Sequence, residues 1–182
     1  MKNRRDVTGA ERGKLLLKIA DLLESHIDEL AELESVENGK PVYQSRGDVN
    51  DCINSFRLFG GMCTSSNLPS HVNNSGSVAN VSTLEPFGVV AGICPFNWAS
   101  IHAGAKLAPA LAVGNVILIK IPDQNPAVIM KICELINQVL PEGMVTCING
   151  KGATGAAISA SKKIRYISFT GSPKQQWITL FR

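Results

Sequence analysis

The sequence predicts an α/β fold built on a parallel sheet, and three observations predict it. Phe87 to Cys94 is an apolar run bounded by Pro86 and Pro95, which suits a buried strand. The polar turn Pro95-Phe96-Asn97-Trp98 follows it and leads into a helical stretch. A second apolar strand, Asn115 to Ile121, then carries Lys120 at its end. Strand, turn, helix and strand in this order form an α/β unit, and in such units ligands sit beyond the carboxyl ends of parallel strands.

The 182 residues suffice for one domain or a piece of one. With 45% hydrophobic and 18% charged residues, the chain buries a core and is not a disordered polymer. Its net charge of +3 comes from scattered basic residues, so no nucleic-acid partner is expected. The five cysteines show neither a CxxC pair nor zinc spacing and read as reduced thiols of a cytoplasmic protein. The basic start MKNRRDV lacks a following apolar segment, so no signal peptide is expected. No apolar run reaches membrane-spanning length, and no membrane partner is expected.

Along the chain, Thr8-Gly9-Ala10-Glu11 has the spacing of a capping box. The spacing predicts one helix from there to Asn38-Gly39, with Leu15, Leu16, Ile19, Leu22, Leu23, Ile27, Leu30 and Leu33 on its buried face. Asp28, Glu29, Glu32, Glu34 and Glu37 are read as its solvated face rather than as metal ligands. Val49, Cys52, Ile53, Phe56, Phe59 and Cys63 give a second helix over 42–63, with both cysteines in or near the core. Residues 64–76 read as a Ser/Asn-rich loop, with turns at Asn73-Asn74 and Ser75-Gly76 and a surface His71. Ser77 to Leu84 reads as a strand. The organisation expected is thus N-terminal helices over 1–63, a loop and strand over 64–84, and the sheet-bearing portion over 85–182.

A third helix, Ser100 to Val113, is rich in small residues for close packing on a sheet, and Pro109 implies a kink or irregular turn. His102 reads as a satisfied helix residue rather than a catalytic one. Asn125 as N-cap and Pro126 at the first position open a fourth helix, whose buried stripe includes Cys133. Met144 to Asn149 is a strand with Cys147 buried, and Ile164 to Phe169 is the last strand. Between them Gly150-Lys151-Gly152-Ala153-Thr154-Gly155 is a literal GxGxxG, whose glycines let a backbone approach a phosphate. The usual dinucleotide fingerprint also asks for an acid about twenty residues on. That position here falls in Thr170-Gly171-Ser172, so the standard fingerprint is not met.

The motifs EPFGVVAGICPFNW, KLAPALAVGN, IKIPDQNP and SFTGS, in this order and spacing from Thr8 to Ser172, resemble the NAD(P)-dependent aldehyde dehydrogenase superfamily. The resemblance implies a partial Rossmann-like parallel sheet with N-terminal helices, the cofactor-domain portion of such an enzyme. It implies oxidation of an aldehyde to a carboxylic acid, with NAD as cofactor and NADP possible, in a homo-oligomer whose subunits associate through a strand near Ser77 to Leu84. Carried over residue by residue, Asn97 is the amide donor to the oxyanion. Phe96 stands at the first aromatic position of that motif, without an indole N–H. Lys120 and Asp123 hold the adenosine ribose, with Asp where the family usually has Glu. Gly152 and Gly155 belong to the glycine-rich turn, and Thr170, Gly171 and Ser172 approach the pyrophosphate. The family's nucleophilic cysteine and general-base glutamate follow the SFTGS motif and are not found among these residues; Cys94 ends a buried strand with no activating base nearby in sequence. The expectation is a chain inactive alone. A non-catalytic nucleotide-binding or assembly module and an inactive truncated gene product are the alternatives.

Overall fold

The computed structural model describes residues 7–65, 71–75, 78–82 and 84–173. The capping box forms as its spacing predicts. The Thr8 hydroxyl accepts from the Glu11 N–H at 3.2 Å, and the Glu11 carboxylate accepts from the Thr8 N–H at 2.8 Å. It opens α1, Gly9–Ser25, but the single long helix expected from the apolar stripe is two. α1 ends at His26 and α2 runs Ile27–Asn38. The cause is local competition for a carbonyl. Ser25 Oγ donates to Leu22 O at 2.7 Å, and the His26 N–H turns to Leu23 O at 3.1 Å. Gly39, at φ 71°, closes α2 in the left-handed conformation that the Asn38-Gly39 pair predicts.

α3, Val42–Ser65, buries Val49, Cys52, Ile53 and Phe56 as its periodicity predicts. Complete burial of a side chain such as Phe56 or Ile53 stabilises by about 1.5–3 kcal/mol. The expected loop over 64–76 is partly wrong. His71–Ser75 is a strand, β1, paired antiparallel with β2, Val78–Ser82. Asn73-Asn74 therefore lies within β1, while Gly76 and the side chain of His71 lie outside what is described. The chain past Pro173 also lies outside the described residues.

The main sheet has four parallel strands: β3 Val89–Ile93, β4 Val116–Ile121, β5 Val145–Asn149 and β6 Tyr166–Phe169. Their order is β5-β4-β3-β6. The pleat sends alternate residues to opposite faces. Ile117, Ile119 and Ile121 join the core made with α1, α3, α4 (Ala99–Ala112) and α5 (Ala127–Val139). Ala91, Ile93 and Leu118 turn to the other face and pack with Ile158 of α6, Gly152–Ala160. Pro109 lies inside α4, which continues past it to Ala112. The small residues of α4 do bring backbones together, against a helix rather than the sheet at Gly104. A Cβ there would sit 2.8 Å from the Cys52 Cα on α3.

Two of the acids expected on a solvated face are structural. Glu34 is wholly buried, takes a hydrogen bond from Ser100 Oγ, and pairs with Lys40 Nζ at 2.8 Å. Glu37 reaches the start of α5, where its carboxylate accepts from the N–H groups of Ala127 at 2.6 Å and Val128 at 3.0 Å. Glu37 therefore supplies the cap expected of Asn125. The Asn125 side chain instead donates to Asn38 Oδ1 at 2.7 Å and to Phe96 O at 2.6 Å. Cys147, expected to be buried, is half-buried on β5.

Candidate functional site

A cavity of about 520 Å³ opens at the carboxyl ends of β3, β4 and β6, beside the first turn of α6. Phe96, Lys120 and Asp123 line it from the β3 and β4 ends. Gly152 and Gly155 line it from α6, and Gly171 and Ser172 from the segment after β6. Stretches far apart in sequence meet here because parallel strands end at one edge of a sheet.

Lys120 is paired in register with Ile93 and is only 8% exposed. Its amine has no hydrogen-bond or ion-pair partner among the described residues. Burial lowers its pKa from the ordinary lysine value, and the Asp123 carboxylate opposes that shift. Asp123 itself is exposed, two residues past the strand end. A nearly buried ammonium lining a cavity, with one carboxylate close by, is a donor set suited to hydroxyl groups. The glycines of α6 are not small for the protein's own packing. A Cβ at Gly152 would meet nothing within 4 Å, and one at Gly155 would make only an ordinary contact with Ile93 at 3.9 Å.

Two predicted residues stand outside the cavity lining. Thr170 gives its N–H to Ile93 O at 3.1 Å, and its hydroxyl accepts from Lys106 Nζ at 2.6 Å. Lys106 is a residue that sequence reasoning missed. It is 6% exposed, and burial lowers its pKa. Its one signal is that it carries the only charge in α4. Gly92 makes room for it on β3, where a Cβ would lie 3.1 Å from the Lys106 Cδ.

Asn97 is the second. It is exposed, and its side-chain amide has no partner among the described residues, which leaves the amide free to donate. Its turn is held through backbone carbonyls. Lys40 Nζ donates to Asn97 O at 3.3 Å, and Asn125 fixes Phe96 O. Lys40 is in turn held by Glu34 and by Asp48, the latter at 2.5 Å. His102 is half-buried beneath Trp98, with ring centroids 6.5 Å apart, and burial lowers its pKa. Cys94 lines the cavity but is 4% exposed. Burial pushes its thiol up to about 12, against the pull of Lys106. Cys52 is likewise pushed up to about 12 by burial.

The sequence profile of the aldehyde dehydrogenase family matches residues 1–176. The chain belongs to the aldehyde dehydrogenase family. It is 42% identical over 163 residues to an aldehyde dehydrogenase of Didymella fabae, covering 88% of this chain and 33% of that protein. It is 36% identical to the betaine aldehyde dehydrogenase of Bacillus subtilis, covering 91% of this chain and 34% of the other. The chain thus spans about a third of the length of the curated relatives it matches. Among solved structures, PnpE in complex with nicotinamide adenine dinucleotide superposes with a TM-score of 0.90 at 38% identity, over 96% of this chain and 36% of that one. The glyceraldehyde-3-phosphate dehydrogenase GapN of Methanocaldococcus jannaschii, complexed with NADP, gives 0.89 at 30% identity, over 97% and 40% of the two chains. The α/β fold with a parallel sheet and flanking helices is the one predicted from sequence.

Proposed function

We propose that this chain supplies the dinucleotide-binding part of an NAD(P)-dependent aldehyde dehydrogenase, which oxidises an aldehyde to a carboxylic acid. The observation that carries the reading is the Lys120 amine, nearly buried at a parallel strand end beside Asp123 and without a hydrogen-bond or ion-pair partner among the described residues. Lys120 donates to the adenosine ribose, and Asp123 accepts from its hydroxyls. Gly152 and Gly155 leave the first turn of α6 open to the pyrophosphate, whose charge suits a helix N-terminus. Gly171 and Ser172 close the other side with backbone and hydroxyl donors. Phe96 lies against the cofactor.

A dinucleotide held by Lys120, Asp123, Gly152, Gly155, Gly171 and Ser172 would supply the hydride acceptor, and this chain's residues would bind it and hold the reacting carbonyl. Asn97 presents its free amide to the oxygen that becomes negative when a nucleophile adds to the aldehyde, a fixed donor that needs no reorganisation. Cys94, the thiol at the cavity, is not that nucleophile, because burial keeps it protonated. The nucleophile and the general base come from outside these residues.

Titration calorimetry of the chain with NAD and NADP tests the reading. Lys120→Ala is expected to weaken both about tenfold or more, the loss of a charge-assisted hydrogen bond. Asp123 disfavours an ionised 2′-phosphate, so NAD is preferred over NADP by about ten- to a hundredfold. Asp123→Ala narrows that ratio. Unchanged affinities in Lys120→Ala, or an unchanged ratio in Asp123→Ala, would place the ribose elsewhere.

A further inference from the structure

Asparagine followed by glycine occurs twice in this chain, at Asn38-Gly39 and at Asn149-Gly150. As dipeptides the two are chemically alike, because glycine brings no Cβ to hinder its own amide nitrogen. The fold treats them differently. Asn38 ends α2 and its side chain is held: Oδ1 accepts from Asn125 Nδ2 at 2.7 Å, and Nδ2 is buried. The Gly39 N–H is committed to Ser35 O at 2.8 Å. Asn149 is instead the last residue of β5, an edge strand of the sheet. It is exposed and lines a second cavity, of about 640 Å³. Its side-chain amide has no hydrogen-bond partner among the described residues. Packing requires glycine at 150, since a Cβ there would collide with the Thr154 hydroxyl of α6.

We propose that Asn149 is a self-modification site, which deamidates to aspartate and isoaspartate while Asn38 is spared. The Gly150 nitrogen gives up its proton to base and attacks Asn149 Cγ. A C–N bond forms, the Cγ–Nδ2 bond breaks, and the side-chain nitrogen leaves as ammonia with a proton from water. The product is a cyclic succinimide. Water, which reaches this exposed strand end, then opens the ring at either carbonyl to give aspartate or isoaspartate. The net reaction consumes water, releases ammonia and transfers no electrons. Both products carry a carboxylate where the amide was. Isoaspartate also routes the main chain through the side-chain carbons, which adds a methylene to the link between β5 and the Gly152 turn of α6. At Asn38 the same attack first has to release two hydrogen bonds, which slows it about tenfold or more.

Peptide mapping of the intact chain tests this. The folded chain is aged in warm, mildly alkaline buffer, digested and analysed by mass spectrometry. Amide-to-acid conversion at Asn149 is expected at least about tenfold faster than at Asn38. The converted peptide is expected to elute as an aspartate and an isoaspartate form of equal mass. In urea the two asparagines are expected to convert within about twofold of each other, because the difference belongs to the fold. Asn149→Gln is expected to abolish conversion at this position, since the longer side chain has to close a larger ring. The proposal is overturned if Asn38 converts as fast as Asn149 in the folded chain. It is equally overturned if Asn149 stays an amide there while the urea-unfolded chain converts. The wild-type map decides between these outcomes even if the variant fails to fold.

Discussion

Replacing Lys40 with Met tests what holds the turn that carries Asn97. Met keeps most of the apolar stem and removes the ammonium. That ammonium binds Glu34 at 2.8 Å and Asp48 at 2.5 Å, and reaches Asn97 O at 3.3 Å. Side-chain exposure is 13% for Lys40, 0% for Glu34 and 15% for Asp48. Stripping one partner from a buried ion pair costs about 3–5 kcal/mol, because the remaining charge is left uncompensated. Water reaches Asp48 in part, so the lower end applies, about 3 kcal/mol. With a urea slope of about 2 kcal/mol per molar, the unfolding midpoint falls by about 1.5 M. Adding Glu34→Gln removes the orphaned charge while leaving an acceptor for Ser100. The double variant is expected to recover at least about 1 kcal/mol relative to additivity. Amide exchange at Asn97 and Trp98 should quicken in Lys40→Met. The pH dependence has a definite sign. Burial opposes the charge on Lys40, but its hydrogen bonds to Asp48 and Glu34 outweigh that and raise its pKa above 10.5. A raised lysine pKa contributes stability that is full below the unfolded value and is lost as pH climbs through the folded one. Above about pH 10.5 the wild-type chain should therefore lose stability more steeply than Lys40→Met. A loss under about 0.5 kcal/mol, the range of exposed pairs, would refute the reasoning, as would strict additivity of the two changes.

Glu37→Ala removes the acceptor for two N–H groups at the start of α5 and is expected to cost about 1–2 kcal/mol in the same urea experiment; no change in midpoint would mean that water replaces the carboxylate. Gly104→Ala drives a methyl into the Cys52 backbone, 2.8 Å away, and should cost about 2–3 kcal/mol by separating α3 from α4. Gly152→Ala meets nothing within 4 Å and should be neutral or slightly stabilising, so equal losses at the two glycines would sink the close-packing account.

Local rules carried much of this protein in the sequence itself. The Thr8–Glu11 capping box, the three-and-four spacing of Val49 to Phe56 and the glycine stop at Gly39 each need only neighbouring residues, and each formed as predicted. The apolar runs that became β3 and β4 announced a parallel pair, because both faces of such strands are covered. The four linked motifs also pointed to the family. Tertiary structure decided which polar side chains meet. Glu34 looked solvated on a helical wheel, but it bonds Ser100, 66 positions away. Glu37 caps a helix 90 positions away, which left Asn125 free to hold Phe96. Lys106 and Thr170, 64 positions apart, hydrogen-bond only because α4 lies beside β3 and β3 pairs with β6. Periodicity reports which face of a helix is apolar. It carries no information about which carboxylate or amine the opposite element will present, because that depends on how the sheet brings distant stretches of chain together.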